Sequence, residues 1–305
     1  MKNKLFRKIT AVVAACMMIG NMTVSAFADS VSIDGKKYVS LGADLNEDER
    51  ATVLSLLNLT EEGLADYQVV TVTNQDEYDY LSSYLDASVI GDRALSSVRV
   101  DGREDGYGLQ VATKNITYCT EVMYQNALAT AGVKNADITV AGPYQITGTA
   151  ALVGAMEAYS DMSGEELDSD NVDTATDELV TTTDVADSIG DQEKAEELIG
   201  AIKDIVASED MTDPEKIDET IDETAQKLEI TLSEEDKQQI KALMEKIGSL
   251  DLDVDQLKQQ AQGLYDKLSN LDVDLNISQE QVDGIFAQLG NWFEQLWGQI
   301  KGLFS

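Results

Sequence analysis

Between residues 31 and 160, short runs with a two-residue apolar period give way repeatedly to runs with a helical period; beyond residue 183 only the helical period persists. Val31 to Val39, with Asp34-Gly35 at its middle, predicts a β-hairpin or strand pair. Asn46 with Glu49 three residues on is a capping box, and Val53, Leu54, Leu56 and Leu57 form the apolar face of the helix it opens. Thr60-Glu61-Glu62 predicts a second helix start. Gln68–Thr73 is a strand by its β-branched content, and Gln75–Leu85 is a helix bearing Tyr78, Leu81, Tyr84 and Leu85. Leu95–Val100 and Leu109–Thr113 alternate and are joined by a Gly-rich loop, which predicts a hairpin. Thr117–Ala131 is a helix ended by Gly132, and Ile138 onward is a strand that breaks at Gly142-Pro143 and turns through Thr147-Gly148 into another helix.

From Asp161 to about Thr183 the chain is acidic, rich in Ser and Thr and poor in bulky apolar residues, which reads as a linker. Helical periodicity follows over Lys194–Val206, and again after Pro214 through Ile217, Ile221 and Leu228. A degenerate repeat starts at Leu228, Leu250 and Leu271, each run followed by an amphipathic helix. The expected architecture is a mixed α/β (α+β) N-terminal domain followed by an all-helical C-terminal region. Its divisions are residues 1–28 as a signal peptide, 29–160 as the α/β domain, 161–183 as the acidic linker and 184–305 as the helical region.

Composition sets the compartment. Lys2, Lys4, Arg7 and Lys8 precede the apolar run Ile9–Ile19, and Ala26 and Ala28 supply a cleavage site, so export with cleavage after Ala28 is expected. A lipidated Cys16 is the rival reading of this segment. Cleavage removes four of the 22 basic residues and none of the 57 acidic ones, which leaves a mature net charge of −39. Such a surface repels phosphate backbones, so nucleic acid is not an expected partner, while weak and diffuse cation association is. All four mature arginines, Arg50, Arg93, Arg99 and Arg103, lie before residue 160, so any Arg-built site must lie there too. Histidine is absent, which removes Ser-His and Cys-His nucleophiles, His general bases and most zinc sites. Cys119, the one mature cysteine, reads as a buried, inert thiol.

Candidate chemistry is sparse. The Thr147-Gly148-Thr149 turn into a helix could cradle an anion, but it has no P-loop lysine and reads as a packing corner. Asp101, Arg103, Glu104 and Asp105 read as a solvated turn. Asp251, Asp253 and Asp255, and Asp272, Asp274 and Asn276, are spaced like the opening of a calcium loop, but Gln256 and Ile277 stand where the sharp turn needs a small residue. No cofactor motif is found, and no metal-binding or catalytic residues are assigned. The amphipathic C-terminal helix carries Phe286, Leu289, Trp292, Phe293, Leu296, Trp297 and Ile300, and it is the expected contact for a partner protein or envelope component.

The runs Tyr38–Leu45, Tyr84–Val98, Asn115–Thr120, Ile138–Pro143 and Gly148–Ala155 resemble the YpuA-like family. That family is a domain of unknown function in exported proteins of Gram-positive-type bacteria. The resemblance therefore implies an extracytoplasmic protein and supplies no catalytic residues. The functional expectation is an exported, non-enzymatic binding protein, with an envelope-polymer hydrolase or transferase using carboxylates, or an acidic cation-binding structural protein, as alternatives.

Overall fold

In the computed structural model, residues 32–209, 211–250 and 252 are described, all within one compact unit. Five strands, β1 (Lys37–Gly42), β2 (Gln68–Val72), β3 (Ser97–Gly102), β4 (Leu109–Ile116) and β5 (Ala136–Ile146), form one mixed sheet in the order β2-β1-β3-β5-β4. β1 and β2 are parallel, as are β4 and β5, and β3 runs antiparallel to both β1 and β5. Four strands therefore end at one edge of the sheet, called the upper edge below, where β3 begins.

Helices α1 (Glu47–Leu56), α2 (Asn74–Leu81), α3 (Ala87–Ile90), α4 (Glu121–Thr130) and α5 (Thr149–Ser163) intervene between or follow the strands. Three of them start on hydroxyl or amide caps at the upper edge: Asn46 and Thr73 form capping boxes with Glu49 and Asp76, and Thr120 accepts from Met123 N. α6 (Ser169–Ile189), α7 (Gln192–Ser208), α8 (Pro214–Lys227) and α9 (Glu234–Ile247) complete the described fold.

The two faces of the sheet are covered unequally. On one, Tyr38, Val98, Val100, Ile138 and Val140 belong to a core that continues through α4 and α5 into α6–α9. On the other, Val39, Leu41 and Ala141 form a smaller cluster with Val53, Leu54 and Leu57 of α1 and its exit and with Leu64 of a short 3-10 turn (Glu62–Asp66), against which Leu45, Leu56, Leu59 and Tyr67 pack. A ten-residue helix is about 15 Å long, so α1 covers the upper part of that face; lower down, among the described residues, Tyr67 lies against Asp101, whereas Lys37, Gln110 and Ala112 are exposed.

The mixed sheet followed by helices is the expected fold class, but three local expectations are corrected. β3 and β4 are not a hairpin: β5 lies between them, with Val100 and Val111 both registered on Ile138. The loop that joins them is held open by Asn135, whose side-chain Oδ1 accepts from Gly106 N and Gly108 N, both at 3.1 Å. The N-terminal stretch forms one strand after the Asp34-Gly35 turn, not a strand pair. Residues 161–183 are not a linker, because α5 runs through Ser163 and α6 begins at Ser169, capped by Asp168 and ended by Gly190. The buried face of α6 sets Leu179 and Val185 among small residues, Thr174, Ala175, Thr176, Thr181, Thr182 and Ala186, which explains the weak apolar signal. Its threonines 174, 176, 182 and 183 each return the hydroxyl to the carbonyl four residues back, so a hydroxyl-rich helix buries without orphaned donors. The second copy of the repeat apart from Leu250 and Leu252, the third copy, both calcium-like runs of acids and the aromatic C-terminal residues, Phe286, Leu289, Trp292, Phe293, Leu296, Trp297 and Ile300, lie outside the described residues.

Candidate functional site: a closed upper edge and an open lower face

The Gly-Thr turn is a packing corner, and the carboxyl group that meets it is the protein's own Glu77. Gly148 (φ +104°) opens α5 in a left-handed conformation, and Thr149 Oγ1 donates to Glu77 Oε1 at 2.6 Å. Asn74 Nδ2 donates to the other carboxylate oxygen at 3.2 Å, and Ser96 Oγ accepts from Ala151 N at 2.9 Å. Tyr124 OH donates to Gly148 O, and a Cβ on Gly148 would lie 2.7 Å from that hydroxyl. Glu77 is 1 % exposed, and burial pushes its carboxyl above the ordinary carboxylate range against the pull of Thr149 and Asn74. Cys119 packs against the same corner; burial pushes its thiol up to about 12, which fits the inert thiol expected from the sequence.

The second acid of this kind is Glu196 of α7. It accepts from Thr120 Oγ1 at 2.6 Å and Gln192 Nε2 at 2.8 Å, and burial raises its carboxyl too. Deeper still, Lys203 Nζ lies 2.7 Å from Glu178 Oε1, both side chains being 1 % exposed. Asn126 O and Thr130 Oγ1 take the lysine's other donors at 3.0 and 3.2 Å, so this pair ties α7 and α6 to α4. On the outer rim, Arg93 spends its guanidinium on Glu49, on Asp44 O and, at 3.5 Å, on Tyr144 OH. The upper edge is polar throughout, and its polar groups answer one another.

The lower part of the open face is different. Register places Lys37, Asp101, Asp137 and Gln110 in one row across β1, β3, β5 and β4, with Val39, Arg99, Thr139 and Ala112 in the next. Asp101 and Asp137 thus stand directly opposite each other on antiparallel strands, a like-charge pairing that destabilises a sheet unless it is compensated. Each has the same two companions. Arg99 Nε lies 2.7 Å from Asp101 Oδ2, as an ion pair without hydrogen-bond alignment, and Tyr67 OH reaches Asp101 Oδ1 at 3.3 Å. Arg103 Nε donates to Asp137 Oδ2 at 2.8 Å, and Tyr107 OH donates to Asp137 Oδ1 at 2.7 Å. Arg99 also donates to Leu57 O at 2.7 Å and Lys114 Nζ to Leu56 O at 2.6 Å, so two cations from the sheet serve the C-terminus of α1, which has no basic residue in its own last turn.

The result is a flat platform. Lys37, Gln110, Ala112 and Arg103 are exposed, Tyr107 is 38 % exposed, and the Asp101 and Asp137 side chains, 13 % and 26 % exposed, are mostly buried with their orientation fixed by their arginines and tyrosines. Lys37 and Arg103 lie over the Tyr67 and Tyr107 rings, each 5.5 Å from the centroid. Fixed carboxylates and guanidiniums beside aromatic rings can bind a polar ligand by paired hydrogen bonds and stacking. Among the described residues no group of three metal-ligating side chains converges, and no helix is long and apolar enough to cross a membrane. The sequence places Asp101 and Arg103 in a solvated turn and does not single out Asp137, Tyr67 or Tyr107. The available signal was the two-residue alternation of Asp137 and Thr139 against Ile138 and Val140, which marks a polar face on an otherwise buried strand.

Residues 41–264 match the family described as "Protein of unknown function (DUF1002)". The "Uncharacterized protein YpuA" of Bacillus subtilis (strain 168) is 39 % identical over 224 residues, which is 73 % of this chain and 76 % of that protein. No solved structure matches the chain. Four of the runs that carry the resemblance, ending at Leu45, Val98, Thr120 and Ala155, meet at the upper edge around Gly148, and on the family match and the relative together the chain belongs to the DUF1002 family.

Proposed function

We propose that this is an exported, extracytoplasmic binding protein without catalytic activity, and that the lower open face of its sheet binds a hydroxyl-rich ligand such as an envelope glycan. The observation that carries the reading is the opposed Asp101–Asp137 pair, each oriented by its own arginine and tyrosine on a face that α1 leaves uncovered. Vicinal hydroxyls match such carboxylate and guanidinium pairs, and an exposed tyrosine ring offers the apolar face of a sugar a place to stack. Export rests on the basic start, apolar run and small residues before Asp29. Carboxylate catalysis is the weaker reading, since Glu77, the acid that burial raises within the corner, is walled off from any substrate. The aromatic segment from Phe286 to Ile300 offers a second contact, to a partner protein or a neutral envelope surface.

Calorimetric titration of the mature chain against purified envelope polysaccharides tests the ligand. Saturable binding that Asp101→Asn with Asp137→Asn abolishes, and that Glu77→Gln leaves intact, is the expected result. Equal binding by both variants would remove the platform as the site. N-terminal sequencing of the secreted protein should begin at Asp29.

A further inference from the structure

The sheet ends at β2, and among the described residues no strand lies on its outer side. Natural edge strands are guarded by charges, proline or a bulge, because their outward N–H and C=O groups accept any chain that can pair with them. β2 has none of these: its five residues are Gln-Val-Val-Thr-Val in unbroken register with β1. Val70 and Val72 turn to the core, while Val69 is 41 % exposed and Thr71 is exposed beside it.

A row of carboxylates runs alongside. Asp161 accepts from Gln68 Nε2 at 3.2 Å, at the start of β2, and Asp76 caps Thr73 immediately after its end. Glu157 of α5 sits between them: burial raises its carboxyl first, and then the charges of Asp76 and Asp161 raise it further. No Lys or Arg forms an ion pair with any of the three among the described residues. The two nearby lysines are engaged elsewhere, Lys36 on Met162 O and Lys37 over the Tyr67 ring. Three neighbouring carboxylates without an ion-pair partner, beside an edge strand that carries no charge of its own, guard the edge against acidic chains and form a surface complementary to a cationic strand.

We propose that the outer edge of β2 takes up an extended, lysine- or arginine-bearing segment of another protein as a sixth strand. Main-chain hydrogen bonds to β2 supply the affinity, and side chains that alternate toward Val69 on one face and toward the Asp76–Glu157–Asp161 row on the other supply the selection. A second copy of this chain is disfavoured as the occupant because it would bring the same carboxylate row, on a chain of net charge −35, to the same edge. The acidic run at Leu271-Asp-Val-Asp-Leu is disfavoured on the same ground.

The test uses the full mature chain and a blocked peptide of alternating valine and lysine, with the same peptide carrying glutamate in place of lysine as its control. Saturable one-to-one binding of the lysine peptide is expected, with slowed amide exchange at residues 68–72 and no binding of the glutamate peptide. Val69→Lys, which places a guarding charge on the edge, should weaken binding by about tenfold or more, and Thr71→Lys should act alike as a second variant. Glu219→Gln makes the same change in net charge on the exposed surface of α8 and should leave binding within about twofold. An equal loss from Glu219→Gln would mean diffuse attraction to an acidic protein and would overturn the proposal. So would binding of both peptides alike, absence of binding, or a dimer in sedimentation that Val69→Lys dissolves.

Discussion

At the upper edge of the sheet, carboxylates, hydroxyls and a tyrosine are turned inward onto helix N-termini, whereas on the lower open face the same residue types stand in reach of solvent beside arginines. Glu77 and Asp137 illustrate the contrast. Each accepts hydrogen bonds from two neighbouring side chains, but Glu77 has a helix, a glycine corner and Tyr124 around it, and Asp137 has one wall of β-sheet behind it. An inward carboxylate secures the packing of α5 on the sheet. An outward one, equally well oriented, has acceptor capacity left for a ligand. Having the right residue types is therefore not enough to make a site; access separates the two, closed at Glu77 by α5, the Gly148 corner and Tyr124.

If the comparison is right, changes to the interior polar groups cost stability and changes to the open face cost binding. The largest effect is expected deepest. Lys203→Met leaves Glu178 as an uncompensated buried charge and should lower the unfolding free energy in urea by about 3–5 kcal/mol, while replacing both partners with apolar residues should restore much of it. A loss under about 1 kcal/mol from the single change would show that the pair is reached by water. Gly148→Ala combines a positive φ with a Cβ 2.7 Å from Tyr124 Oη and 2.8 Å from Ile116 Cγ2, so a loss of about 3 kcal/mol is expected in the same assay.

Glu77 should then disclose itself through pH. Because burial raises its carboxyl in the folded state, its contribution is fully present below the carboxylate pKa of the unfolded chain and is lost as pH rises through the raised folded value. Urea midpoints should accordingly climb as pH falls from neutrality into that window, and Glu77→Gln should make the climb shallower. An unchanged slope would mean that Glu77 is solvated. The smallest stability effect is expected on the open face, where Asp137→Asn or Tyr107→Ala should cost no more than about 1 kcal/mol, since Arg103 and Tyr107 are exposed.

Local signals read the elements well and the pairings badly. The Asn46–Glu49 capping box, the strand at Gln68, the Gly148 corner and Pro214 at the start of α8 are all short-range, and all are present in the structure. The insertion of β5 between β3 and β4 depends on contacts some thirty residues apart, which no hairpin signature encodes. α6 reads as a linker because a helix that buries mostly threonine and alanine has a linker's composition; its Asp168 and Gly190 caps are the signal that marks it. The candidate site followed the same rule. Asp101 and Arg103 were visible as polar residues near a turn, but the partner aspartate and both tyrosines arrive from β5, from the end of the 3-10 turn and from the β3–β4 loop.

Amide exchange across the folded chain, measured with and without a saturating envelope glycan, tests the central claim most directly. Added protection confined to β3, β4 and β5 around Asp101, Gln110 and Asp137, with none at Thr149 to Leu152, is the result expected of an open lower face and a closed upper edge. Protection that appears instead at the α5 corner would contradict it, by showing that the edge occupied by Glu77 opens to ligand.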